Sequence, residues 1–97
     1  MSERDEVLAV LRAVLPELRR RWPIRSLAVF GSVARGEAGP ASDLDLLVEF
    51  DTPVGLSDFL ALEDRLSGLT GQRVELVSRR TLKPFIGRQV LREAVPV

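Results

Sequence analysis

Residues 44–50 alternate between apolar and charged positions, and this pattern constrains the fold more than any other in the chain. Apolar side chains fall at every second position from Leu44 to Phe50, while Asp45 and Glu49 lie between them. A period of two is that of a β-strand. It predicts a strand from Leu44 to Phe50 with one face packed in a core and the other face carrying carboxylates.

A second predicted strand, Ser26–Phe30, ends at a glycine and a serine. Gly31 allows a sharp turn and puts no Cβ in the way of a ligand. Ser32 offers a hydroxyl and a backbone N–H, both of which can contact phosphate. Residues 33–35 predict one helical turn, which Gly36 closes.

The remaining elements follow from apolar spacing and from the residues typical of turns. They are a helix from Glu3 to Arg21 that Ser2 caps and Pro16 kinks or splits, a loop from Glu37 to Ser42, a helix that begins at Leu56 and ends within residues 68–71, a strand from Arg73 to Val77, and a last helix with Thr81 as its N-cap. This order predicts a single α/β (α+β) domain over residues 1–97, with a small mixed sheet packed against helices.

Composition excludes several classes of chemistry. The 97 residues include no cysteine and no histidine, which excludes disulfides, zinc sites built on those residues, thiol chemistry and His-based triads. Fourteen basic and fourteen acidic residues give a formal net charge of zero, which does not favour binding to nucleic acid or to a membrane surface. The polar N-terminus and the lack of a long apolar run predict a cytoplasmic protein.

The charges are nevertheless unevenly distributed. Residues 37–64 contain eight acidic residues and no basic one, whereas residues 73–92 contain six basic residues and a single acid, Glu75. This asymmetry suits a cation site beside an anionic ligand or partner. Solvated helix faces also explain most of the basic residues.

Asp43 and Asp45 point most directly to chemistry. The two residues are two positions apart on the predicted strand, so their side chains project from the same face. There the carboxylates can share one or two Mg²⁺ ions. In nucleotidyl transfer such ions activate the attacking oxygen and steady the leaving pyrophosphate. The alternative is a surface turn followed by a strand with solvated aspartates. Arg35 likewise either adds positive charge near a triphosphate or is an ordinary surface residue.

Two other motifs do not fit. Gly31 and Gly36 have the spacing of a P-loop, but Glu37 stands where the required lysine would be. The pattern that begins at Asp43 lacks the later oxygen ligands of an EF-hand loop, because apolar residues follow it.

The segments GSVARGE (31–37) and SDLDLLV (42–48) resemble the minimal nucleotidyltransferases of the polymerase-β-like superfamily. The likeness extends from the first helix to residues 91–95 and so covers nearly the whole chain. It implies a compact α/β nucleotidyltransferase fold, with ATP as substrate, Mg²⁺ as cofactor, and transfer of a nucleoside monophosphate to a hydroxyl. By this resemblance Gly31 and Ser32 match the phosphate-binding pair, Asp43 and Asp45 the metal ligands, and Glu75 the third carboxylate.

At Glu75 the chain departs from the family pattern, in which an aspartate is usual. Glutamate is one methylene longer, and Mg²⁺ requires near-octahedral geometry at short distances. Glu75 could serve as a metal ligand, as the base for the acceptor hydroxyl, or as a solvated surface charge.

Stand-alone members of the family resemble antitoxins encoded with a helical HEPN-domain toxin. The resemblance implies that such a protein inactivates the toxin, a ribonuclease, by adding AMP to a tyrosine. A catalytically silent antitoxin that neutralises its toxin by binding alone remains an alternative, as does a small-molecule nucleotidyltransferase similar to those that modify aminoglycosides.

Overall fold

A computed structural model describes residues 2–39, 42–82 and 84–97. Along the described residues the elements are α1 (Glu3–Arg21), β1 (Ile24–Phe30), α2 (Gly31–Arg35), β2 (Leu44–Phe50), α3 (Leu56–Thr70), β3 (Val74–Ser78), a 3₁₀ turn (Arg79–Thr81), α4 (Pro84–Glu93) and β4 (Val95–Pro96). The strands form one sheet in the order β3-β2-β1-β4. Strand β1 runs antiparallel to β2 and to β4, while β2 and β3 are parallel. The predicted α/β fold with a mixed sheet is confirmed.

The hydrophobic core lies on one face of the sheet. Leu44, Leu46 and Val48 of β2 are completely buried, as the alternating pattern predicts. Helices α1 and α3 cover this face, and their fully buried side chains are Leu11, Leu18, Leu62 and Leu66. The opposite face of β2 carries Asp45, the buried Leu47 and Glu49, so the packing of the core decides which way the carboxylates point.

Two contacts fix the ends of α1. The Oγ of Ser2 accepts a hydrogen bond from the N–H of Asp5 at 3.2 Å, which caps the helix as expected. At the other end, Nε1 of buried Trp22 donates to the backbone oxygen of Asp58 at 2.9 Å and so ties α1 to α3. The helix is not split at Pro16. This proline is exposed, so water can reach the carbonyl that it leaves without a helical partner.

Side chains of α3 close the outer edge of the sheet at β3. The N–H of Leu76 donates to Oε2 of Glu63 at 2.8 Å, and the N–H of Val74 donates to Oγ of Ser67 at 3.2 Å. Successive backbone N–H groups along a strand point to opposite sides, and these two point towards the side chains of α3 that accept their hydrogen bonds. The exposed row of donors typical of an edge strand is therefore occupied.

Three boundaries differ from the sequence prediction. Strand β1 begins at Ile24, two residues earlier than expected, and β3 is shifted by one residue. Thr81 is not an N-cap of α4, because it lies in the 3₁₀ turn, where its hydroxyl donates to the carbonyl of Ser78. Strand β4 was not predicted, since two residues carry no recognisable period. Within the expected loop from Glu37 to Ser42, residues 40 and 41 lie outside the described residues.

Two leucines of α3 provide a test of this packing. Leu62 is completely buried, whereas Leu60 is 48% exposed. We expect Leu62→Ala to lower the free energy of unfolding by about 2–5 kcal/mol through lost contacts and a cavity. Leu60→Ala should change it by less than about 0.5 kcal/mol. Urea unfolding of the two variants measures the difference, and equal losses would contradict the assigned face of α3.

Candidate active site

Three neighbouring strands bring an aromatic residue and two acids into one row across the sheet. In the register, Asp45 of β2 lies opposite Phe30 of β1 and opposite Glu75 of β3. Directly opposed residues project from the same face of a sheet. The structure therefore brings Asp45 and Glu75 together on the face opposite the core, as the alternating pattern of β2 requires.

Asp43 lies just outside this row. It immediately precedes β2 instead of lying within it, although the backbone N–H of Leu44 bonds to the carbonyl of Arg73 and continues the ladder there. The half-buried Asp43 borders an open groove of about 700 Å³, together with Ser42 and Arg73. Asp43 is the one predicted site residue among the described residues that line this groove, so the groove adjoins the row of Asp45 and Glu75 and does not contain it.

Gly31 lies so close to Asp45 that a side chain in its place would have to displace the carboxylate. Its φ of +71° belongs to the left-handed region, which residues with a Cβ rarely adopt. A Cβ at this position would collide with Oδ2 of Asp45. Ser32 follows in the first turn of α2 and is half-buried. The expected contact between the glycine turn and the strand of acids is thus direct, backbone against carboxylate.

Partial burial, together with neighbouring negative charge, raises the pKa of Asp45 from 3.8 to about 6. Partial burial contributes most, followed by repulsion from Glu75, by the hydrogen bond that a protonated Asp45 gives to Glu75, and by repulsion from Asp43. The positive charge of Arg35 acts in the opposite direction and lowers this pKa. Arg35 is therefore close enough to influence the site electrostatically.

The acids of the site lack a basic partner. At the far end of the same face, Glu49 receives hydrogen bonds from Arg79 at 3.2 Å and from Ser26 at 3.4 Å. No ion pair within 4.0 Å involves Asp43, Asp45 or Glu75 among the residues that the structure describes. Carboxylates left without counter-ions in this way can be neutralised by a bound cation.

The carboxylates of the site suit a cation whose remaining ligands are water and phosphate oxygens. Over the described part of the chain, no group of three or more His, Cys, Asp or Glu side chains is arranged to hold a metal ion. Mg²⁺ does not need such a cage, because it is usually bound through one or two carboxylates together with water and phosphate oxygens. Asp43 and Asp45 can provide those two carboxylates.

Arg35 forms hydrogen bonds with two other acids. Its Nε donates to Oε2 of Glu37 at 3.1 Å, and its Nη1 donates to Oε2 of Glu93 at 3.0 Å. Both carboxylates raise the pKa of Arg35. Sequence reasoning missed Glu93, since it lies 58 residues from Arg35 and no local pattern connects the two.

No helix in the described ranges is both long and apolar enough to cross a membrane.

Comparison with known proteins assigns most of the chain to one domain family. Residues 11–97 match the family model of the nucleotidyltransferase domain. The protein adenylyltransferase MntA of Thermococcus cleftensis is 45% identical over 93 residues, which cover 96% of this chain and 94% of that protein.

Solved structures share the fold. One assigned as a minimal nucleotidyltransferase is 47% identical, has a TM-score of 0.82, and is matched over 100% of this chain and 97% of its own. A structure of a tri-AMPylated Shewanella oneidensis HEPN toxin in complex with its MNT antitoxin is 19% identical, has a TM-score of 0.70, and is matched over 93% of this chain and 70% of its own. A toxin–antitoxin structure with AMP-PNP is 20% identical, has a TM-score of 0.71, and is matched over 97% and 71%.

The contact between Gly31 and Asp45 can be tested with alanine. Gly31→Ala should lower the free energy of unfolding by roughly 1–3 kcal/mol, because the Cβ adds backbone strain and displaces the carboxylate. Gly39→Ala is the matched control, since a Cβ there meets no atom within 4 Å. Denaturant titration of both variants measures the effect, and a Gly31→Ala protein as stable as the control would argue against this close approach.

The raised pKa of Asp45 predicts a pH dependence of stability. The folded chain holds this proton more tightly than the unfolded chain, so the contribution is complete below about pH 4 and is lost as the pH rises through about 6. A shift of this size corresponds to about 3 kcal/mol, which solvent screening of this only partly buried carboxyl reduces to about 1 kcal/mol. Asp45→Asn should remove this fall in stability between pH 4 and 7. An unchanged profile in metal-free thermal melts would contradict the assignment.

Proposed function

This chain belongs to the nucleotidyltransferase domain family, among the protein adenylyltransferases, and we propose from that premise that it transfers AMP from ATP to a hydroxyl of a HEPN-domain toxin and thereby acts as the antitoxin. The observation that carries the proposal is the contact of the Gly31 turn with Asp45, with Glu75 in register beside it. That contact places a turn suited to phosphate next to acids that have no counter-ion among the described residues.

The donor and the acceptor follow from the relatives. The Shewanella oneidensis toxin carries three AMP groups in complex with its antitoxin, and a second toxin–antitoxin structure contains the ATP analogue AMP-PNP. These proteins share the fold of this chain at low sequence identity. The more similar MntA of Thermococcus cleftensis is named for the same reaction, which supports a protein acceptor here.

Asp43 and Asp45 are the residues that would hold Mg²⁺. A bound ion would neutralise the charge that crowds Asp45 and would polarise the phosphates of ATP. Two carboxylates would leave room in the coordination shell for phosphate oxygens and water, which is how Mg²⁺ is usually bound in proteins. The ion would be held between protein and nucleotide, not by the protein alone.

Gly31 and Ser32 would receive the phosphate groups. Because Gly31 has no side chain, the backbone at the end of β1 can approach a phosphate that is also close to Asp45. The hydroxyl and the N–H of Ser32 can donate to its oxygens. Arg35, one turn further along α2, supplies the positive charge nearest to this turn in the chain.

Glu75 is proposed as the third carboxylate of the site. In the transfer, the acceptor oxygen forms a bond to the α-phosphorus of ATP, the bond to pyrophosphate breaks, and the hydroxyl proton has to leave. Glu75 is exposed and lies directly beside Asp45, so it can accept that proton or complete the ligands of the ion. Either role needs its ionised form.

Replacement of the two aspartates tests the reaction. Asp43→Ala and Asp45→Ala should each reduce transfer of label from ATP to the cognate toxin by about a hundredfold or more, because stabilisation of charge worth several kcal/mol is lost. Asp64→Ala, an exposed acid of α3, should transfer AMP at the wild-type rate. Intact-mass measurement of the toxin after incubation with Mg²⁺ and ATP counts the groups added.

Two results would favour other functions. If the Asp43→Ala, Asp45→Ala double variant neutralised the toxin as well as the wild type, the chain would act by binding alone. If an aminoglycoside were modified with no protein acceptor present, the chain would be a small-molecule nucleotidyltransferase. Transfer of label that survives the double replacement would show that the ligands are assigned wrongly.

A further inference from the structure

Arg35 is bound by one local acid and by one distant acid. Glu37 is only two residues away and has a side chain that is 66% exposed, so its contact adds little to the tertiary structure. Glu93 is the last residue of α4 and has a side chain that is only 29% exposed. The contact of Arg35 with Glu93 therefore connects the turn that begins at Gly31 to the C-terminal part of the chain.

The backbone around Glu93 is restrained on both sides. Before it, α4 ends with a hydrogen bond from the N–H of Ala94 to the carbonyl of Val90 at 2.9 Å. After it, β4 pairs with β1, and Val95 lies opposite Val29 in the strand next to that of Asp45. A carboxylate held between a helix and a paired strand can fix the orientation of a long, flexible side chain.

The guanidinium of Arg35 retains donors for a ligand. It has five N–H bonds in a rigid fork, and its two protein contacts use Nε and Nη1. Within the described residues, Nη2 has no hydrogen-bond partner. A planar guanidinium that is already oriented loses less freedom when it binds phosphate than one that moves freely.

We propose that Glu93 is a positioning residue of the nucleotide site: its carboxylate holds the guanidinium of Arg35 so that the remaining N–H groups face the triphosphate of ATP. This inference rests on the proposed function, since it assigns Arg35 to that substrate. By this inference the nucleotide site includes the C-terminal end of α4 in addition to the Gly31 turn and the neighbouring carboxylates.

The negative charge of Glu93 and its hydrogen bond to Arg35 have opposite effects on triphosphate binding, so substitutions can distinguish them. Its negative charge opposes a triphosphate, so only its hydrogen bond to Arg35 can help binding. Glu93→Gln keeps an oxygen that accepts this bond and removes the charge. Glu93→Ala removes both. A positioning role therefore predicts that glutamine rescues what alanine loses.

The test measures the dissociation constant of Mg²⁺–ATP without any acceptor, by calorimetry on the full chain. We expect Glu93→Ala to weaken binding about fivefold and Glu93→Gln to stay within about twofold of wild type. In an Arg35→Ala background, Glu93→Ala should have no further effect, since the residue acts through Arg35. Glu17→Ala is the matched control, because it breaks the exposed Arg65–Glu17 pair between α1 and α3.

Several outcomes would overturn the inference. Additive losses in the double variant would show that Glu93 acts independently of Arg35, and a glutamine variant as weak as alanine would show that an accepted hydrogen bond at this position does not orient Arg35. In turnover with the toxin, the loss should appear in KM for ATP with kcat unchanged, whereas a merely structural role would reduce the folded fraction in both backgrounds.

If the wild type binds Mg²⁺–ATP but modifies no toxin, the proposed function fails while the inference stands or falls on binding. If it binds no Mg²⁺–ATP, both fail.

Discussion

The burial of Leu44, Leu46 and Val48 fixes where the acids of this protein stand. These three side chains are completely buried against α1 and α3, and a strand has only two faces. Asp45 consequently projects to the other side, and the pairings with β1 and β3 place Phe30 and Glu75 beside it. A slip of one residue in the register would bury the carboxylate and expose the core. Stability and chemistry thus depend on the same strand.

The site concentrates negative charge, in contrast to the other end of the same face of the sheet. Glu49 lies on the same face as Asp45 and is paired with Arg79, whereas Asp45 is surrounded by Glu75 and Asp43. Such crowding destabilises the empty site, and a cation shared with a polyphosphate relieves it. Arg35 is the nearest compensating charge, and two acids share its guanidinium.

Local patterns predicted the elements that carry the core and the chemistry. The bounds of β2 and of α1 follow from periodicity and capping, and Gly36 closes α2 as a left-handed residue. Sequence reasoning failed where structure depends on distant pairing. Strand β4 exists because Val95 pairs with Val29, and Glu93 meets Arg35 only after the chain has folded. The tolerance of α1 for Pro16 likewise depends on solvent exposure, which the spacing of apolar residues does not reveal.

The two closed edges of the sheet limit how this chain can associate. At β3, Glu63 and Ser67 occupy the outward N–H groups, and at β4 the residue between Val95 and Val97 is a proline, which has no N–H. Neither edge offers a row of donors onto which a strand from another molecule could be added. Association of the described sheet with another protein therefore has to use side-chain surfaces instead of added strands. The same occupied edges keep copies of the chain from joining edge to edge into a continuous sheet.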